Sequence, residues 1–141
     1  QMEALDRVTI GQVQISNPNQ SWLSGYQGNQ SVVTGITVSH SSGNTVTITG
    51  GVTITSGYIF RSGDFIQLGT SGGVYSVVSD VAWNETTVTL HRPVREAAGT
   101  YTLTVGSAVI WNVVCVQFPQ WTIFARDQIS WSGPFVFAEA I

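Results

Sequence analysis

Apolar and polar residues alternate at every second position along most of this chain. In Thr45-Val46-Thr47-Ile48-Thr49-Gly50-Gly51-Val52-Thr53-Ile54-Thr55, valine and isoleucine keep one parity within each arm. A strand sends successive side chains to opposite faces, so this spacing predicts a Val/Ile face turned inward and a Thr face turned outward. Gly50-Gly51 supplies residues able to take the positive φ of a two-residue turn, so a β-hairpin is predicted over 45–55.

The same period runs on. Phe65–Leu68, Val74–Val81 and Thr86–His91 are separated by Gly69-Thr70-Ser71-Gly72-Gly73 and by a turn at Trp83-Asn84-Glu85, and Pro93 ends the run. Three strands joined by short turns predict a meander. Thr100–Val105 and Val109–Val116, divided by Gly106-Ser107, add two strands, and Val32–Ser39 adds another. No segment sustains an i, i+3, i+4, i+7 apolar face, so helix is limited to a single turn at Val94–Ala98. The expected fold class is all-β, an antiparallel β-sandwich or small β-barrel with an aromatic-rich C-terminal extension.

Two stretches depart from alternation. Ile15–Gln30 is rich in Asn, Gln, Ser and Gly around Trp22 and Tyr26, which predicts a long loop with aromatic anchors, because disordered linkers carry few large aromatics. Residues 117–141 gather Phe118, Trp121, Phe124, Trp131, Phe135 and Phe137. The chain therefore divides into a β-domain over 1–116 and an aromatic segment over 117–141, which either completes the domain's own sheet or docks on a neighbour. The candidate interface residues are Trp22, Tyr26, Trp121, Phe124, Arg126, Trp131, Phe135 and Phe137, since Trp, aromatic and Arg side chains dominate buried interface centres.

Composition points the same way. Only 9% of residues are charged and 43% are hydrophobic, with no lysine, against about 25% charge in an ordinary soluble domain. A surface so poor in ions fits one covered by neighbours. A net charge of −3 without a basic cluster disfavours nucleic-acid recognition. Cys115 stands alone in an apolar run and has no disulfide partner in the chain. No apolar run reaches the length of a membrane span, and the first residues do not resemble a signal peptide.

Candidate chemistry is sparse. His40 and His91 lack ligand spacing; His40 is expected as a solvated turn residue and His91 at a strand end. There is no Gly-x-Ser-x-Gly elbow, and the glycine-rich turns lack the Lys and helix of a phosphate loop. Asp64, Asp80, Glu85 and Asp127 could in principle form a carboxylate pair, but Asp64 suits a strand entry, where a short carboxylate binds backbone N–H groups, Asp80 and Glu85 flank a hairpin, and Asp127 adjoins Arg126. No calcium loop is present. Asn19, Asn29 and Asn84 head glycosylation sequons that fit chance in a chain rich in Asn, Ser and Thr. No catalytic residue, metal ligand or cofactor site is expected.

Ser62-Gly63-Asp64-Phe65-Ile66-Gln67-Leu68-Gly69, then Val74-Tyr75-Ser76-Val77-Val78-Ser79-Asp80-Val81, then Thr86-Thr87-Val88-Thr89-Leu90-His91-Arg92-Pro93-Val94-Arg95 resembles a pattern of tail and baseplate proteins of tailed bacteriophages. The Phe135-Val136-Phe137-Ala138-Glu139 ending is similar as well, and together the likeness covers about a third of the chain. It implies a non-enzymatic virion structural protein of the tail tube end, baseplate or fibre-attachment region, assembled in the host cytoplasm. Its implied partners are itself, as a symmetric ring or oligomer, and other virion proteins, with neither sequence-specific nucleic-acid contact nor membrane insertion. The alternative expectation is a carbohydrate-binding β-sandwich module, as in host-receptor recognition, since five tryptophans and four tyrosines can supply stacking platforms.

Overall fold

The computed structural model describes residues 12–16, 25–30, 35–70, 72–124 and 128–139, with backbone alone at 12–16, 121, 123, 124, 128, 129 and 131. Its strands are β1 (Gln12–Ser16), β2 (Thr37–His40), β3 (Thr45–Gly50), β4 (Tyr58–Phe60), β5 (Phe65–Leu68), β6 (Val74–Ser76) and β7 (Val81–Ala82). They continue with β8 (Thr87–Thr89), β9 (Gly99–Val105), β10 (Ile110–Gln117), β11 (Gln120–Phe124), β12 (Gln128–Ser132) and β13 (Val136–Glu139). The fold is all-β: among the described residues the helical content is one 3-10 turn at Gly106–Ala108, and Val94–Ala98 forms no helical turn.

Two compact units emerge, one spanning 16–110 and the other built from 111–141 with 1–15. The chain passes between them inside β10, at Ile110–Trp111, rather than at the composition change near residue 117.

In the central unit, six strands form one antiparallel sheet in the order β6-β5-β9-β2-β3-β8. The sheet is curled. Val77 and Leu90 form an antiparallel bridge, the Val78 N–H donates to the Thr89 carbonyl at 2.9 Å, and the His91 N–H donates to the Ser76 carbonyl at 3.0 Å. A two-stranded ribbon, β4–β7, pairs Tyr58 with Ala82 and Phe60 with Val81. Alternation places Val46 and Ile48 of β3 inside and Thr45, Thr47 and Thr49 outside, and the core gathers Ile36, Phe60, Ile66, Tyr75, Val88 and Leu90, all fully buried.

The hairpin predicted over 45–55 does not form. β3 pairs instead with β2 and β8, and the hairpin turn is the polar stretch 41–44. Gly51 does adopt φ +84°, but it uses that freedom to pass the Gly35–Ile36 backbone, where a Cβ would stand 2.6 Å from Ile36 Cα. The second arm keeps its burial alternation without a strand partner, because the buried Gln30 side chain takes the partner's place. Its Nε2 donates to the Gly51 carbonyl at 2.7 Å and its Oε1 accepts the Thr53 N–H at 3.2 Å.

Gln67 repeats the device. Fully buried on β5, it accepts the Ile110 N–H through Oε1 at 3.2 Å and donates through Nε2 to the Ile110 and Gly72 carbonyls at 2.9 and 2.7 Å. His40 also departs from expectation: it ends β2 and is buried, with Nδ1 3.3 Å from the Thr45 carbonyl oxygen, because the tight 41–44 turn folds β3 over it.

In the second unit, β1, β10 and β13 form a three-stranded sheet with β13 at one end of the order. β13 pairs with β10 in the register Val113–Glu139, Cys115–Phe137 and Gln117–Val136, with an irregularity between Cys115 and Gln117. β11 and β12 make a separate hairpin whose register sets Trp121 opposite Trp131.

Candidate functional site

The carboxylates have structural partners. Asp64, 1% exposed, accepts the Arg61 N–H through Oδ2 and the Gln27 N–H through Oδ1, both at 2.8 Å. This is the amide-binding role predicted for a short acid at a strand start. Burial raises its pKa despite the two amide donors. Glu85 accepts the Ala82 N–H at 2.7 Å and so closes the 82–85 turn. Asp127 lies outside the described residues.

A second buried network surrounds Tyr75. Its hydroxyl donates to Glu96 at 2.6 Å and accepts the Arg95 N–H at 3.0 Å, while Arg92 sits 5.1 Å from the ring centroid. Burial, reinforced by the Glu96 carboxylate, pushes the Tyr75 phenol up to about 12. Burial opposes ionisation of Glu96, yet hydrogen bonds from Tyr75 and the Gly73 N–H outweigh it and hold the carboxyl below its ordinary value. His91 accepts the Ser76 N–H at Nδ1, 2.9 Å away. Among the described residues no three His, Cys, Asp or Glu side chains gather as a metal would require.

Several large apolar side chains are exposed. In the second unit Phe135, Val136 and Phe137 are each more than a third exposed, and Val116 on β10 is 59% exposed. Phe135 stacks on Phe137 with centroids 6.2 Å apart and meets Phe118 edge-on at 6.0 Å. The cluster gathers around the start of β13, which ends the strand order among the described residues, so exposed apolar side chains lie together there.

The other predicted interface residues fare differently. Tyr26 is half-buried within the central unit: its hydroxyl donates to the Ile59 carbonyl and accepts the Gln30 N–H at 3.1 Å, and its ring meets Phe60 edge-on at 6.3 Å. Trp121 and Phe124 lie on β11 and Trp131 on β12, while Trp22 and Arg126 lie outside the described residues. Among the candidates whose side chains are described, Phe135 and Phe137 come together on an exposed surface.

Next to the β4–β7 ribbon lie further exposed residues that the sequence reading passed over. Trp83 is 44% exposed and Tyr58 38%, and the Arg61 guanidinium lies 4.2 Å from the Tyr58 ring centroid while pairing with Asp80 at 2.7 Å. The available signal was a tryptophan in a turn, where no strand face exists to bury it.

Comparison with family models, with characterised proteins and with solved structures gives no match for this chain.

Proposed function

We propose that this chain is a non-enzymatic structural subunit of a tailed-phage virion, at the tail tube end, baseplate or fibre attachment, acting by self-assembly and by packing on other virion proteins. The observation that carries the assembly reading is the exposed Phe135–Phe137 stack, with Phe137 on β13 and Phe135 just before it. Adjacent exposed aromatic rings form an apolar patch of the kind that protein interfaces bury. The low charge of the chain removes the repulsion that keeps ordinary surfaces apart. The tailed-phage assignment rests on the sequence resemblance over 62–95 and 135–139.

For the central unit we infer a small closed barrel rather than a sandwich. The hydrogen bonds between Ser76–Val78 and Thr89–His91 support it, and an even strand number lets an antiparallel ring close without a parallel pair.

Light scattering after size exclusion, with electron microscopy of the peak, tests the assembly reading. The native chain is expected to form a symmetric oligomer and the Phe135→Ser/Phe137→Ser variant a folded monomer. A monomeric native chain, or a variant that assembles normally, overturns the reading.

A further inference from the structure

Segments 76–78 and 89–91 meet as an antiparallel pair, with Val77 opposite Leu90. Around that bridge the Val78 N–H donates to the Thr89 carbonyl and the His91 N–H to the Ser76 carbonyl. In a regular antiparallel ladder the next residues, Ser76 and His91, would exchange both of their N–H···O bonds. Here the second of those bonds is diverted: the Ser76 N–H donates to Nδ1 of the His91 ring, 2.9 Å away. The imidazole takes the place of the His91 carbonyl as acceptor, so the last rung is half backbone and half side chain.

That exchange fixes the protonation of the ring. A backbone N–H can only donate, so Nδ1 carries a lone pair and the single ring proton belongs on Nε2. A carbonyl accepts at every pH, whereas Nδ1 accepts only while the ring is neutral. A second ring proton sets two N–H groups against each other and leaves the Ser76 amide without its acceptor. It also places a cation next in the chain to Arg92, whose guanidinium is held on the Val74 carbonyl at 2.9 Å.

The ionisable groups of the neighbouring elements are engaged with one another and with backbone. From β6, Tyr75 lies 6.2 Å from the His91 ring between centroids, with its hydroxyl bonded to Glu96 and to the Arg95 N–H. Glu96 also accepts the Gly73 N–H, and Asp64, before β5, accepts the Gln27 and Arg61 amides. β8 and the 43–44 segment, which bonds Leu90 and Val94, contain no ionisable side chain.

We propose that His91 is a pH-sensitive latch on this junction: the neutral ring completes its last rung, and acidification releases Ser76 and loosens the pairing of 76–78 with 89–91. The latch lies within the central unit and does not depend on assembly through Phe135 and Phe137.

Long-range proton–nitrogen NMR of the isotope-labelled full chain reads the tautomer of His91, and amide hydrogen exchange at Ser76, Val78 and His91 reads the junction. The native chain is expected to hold the Nε2–H tautomer at about pH 8 and to lose about tenfold in the protection factor of Ser76 by about pH 5. His91→Asn offers Oδ1, an acceptor that does not titrate, and should keep that protection constant over the same range. Asp64 is present in both chains, so their difference isolates the ring. His91→Phe, which removes the acceptor, should leave Ser76 poorly protected at both ends of the range. An Nδ1–H tautomer at high pH, Ser76 protection that does not fall in the native chain, the same fall in His91→Asn, or native protection in His91→Phe overturns the proposal.

Discussion

The carboxylate of Asp64 holds the backbone N–H of Gln27, 37 residues earlier in the chain, at 2.8 Å. With its other oxygen on the Arg61 N–H, one buried side chain ties the 25–30 loop to the turn that starts β5. Replacing it by alanine leaves two backbone donors without their acceptor, and Asp64→Ala is expected to lose about 3 kcal/mol in urea unfolding. Asp64→Asn keeps one acceptor and turns an NH2 group toward the other amide, so a smaller loss is expected. Because the native pKa is raised, this group's stabilisation is full below its ordinary value of 3.8 and is lost as pH rises through the native value. The Asn variant should lack that slope.

Tyr75 sets an alkaline limit. Its phenol ionises near 10.0 in the unfolded chain and at about 12 in the native one, so its contribution is complete below pH 10 and disappears as pH rises through about 12. Tyr75→Phe is expected to lower stability at neutral pH by about 1 to 2 kcal/mol through the lost bonds to Glu96 and Arg95, and to flatten the alkaline decline. Thermal melts from pH 8 to the alkaline limit, in steps of about one unit, check both effects.

Gln30 replaces a strand for the 51–53 segment. Gln30→Ala removes the acceptor of the Thr53 N–H and the donor to the Gly51 carbonyl, and about 2 kcal/mol of destabilisation is expected. Faster amide hydrogen exchange at Thr53, measured by NMR, should accompany it.

Two glycines of positive φ separate strain from crowding. Gly43, at φ +78° with nothing within 4 Å of a Cβ, should tolerate alanine for about 1 kcal/mol of backbone strain. Gly51, at φ +84°, would drive its Cβ into the Gly35 and Ile36 backbone, so Gly51→Ala should give little folded protein in a soluble-expression assay.

Much of this was legible in the chain. Alternation named the inward faces of Val46 and Ile48, and the Gly63-Asp64 pair announced a turn tied by a carboxylate. The partner of each strand was less accessible. A Thr/Val strand fits beside many others, and Gly50-Gly51 suits a tight turn equally well as a place where two backbones cross. Gln30 and Gln67 looked like polar loop and strand residues, since an amide reads as solvated until the backbone it binds is brought beside it. For the exposed aromatics, the C-terminal crowding of Phe135 and Phe137 was visible in composition, whereas the pairing of Arg61 with Tyr58 and Asp80 joins residues that only the fold brings together.

By itself, then, the sequence determined an all-β chain of alternating strands with few ions and an aromatic end, because period, turn chemistry and charge are local properties. Only the tertiary structure decided that β3 pairs with β2 and β8, that the sheet curls until Val77 meets Leu90, and that the unit boundary falls at Ile110–Trp111. Those outcomes depend on which distant backbone groups satisfy one another, and hydrogen bonds between residues far apart in the chain leave no periodic trace in it.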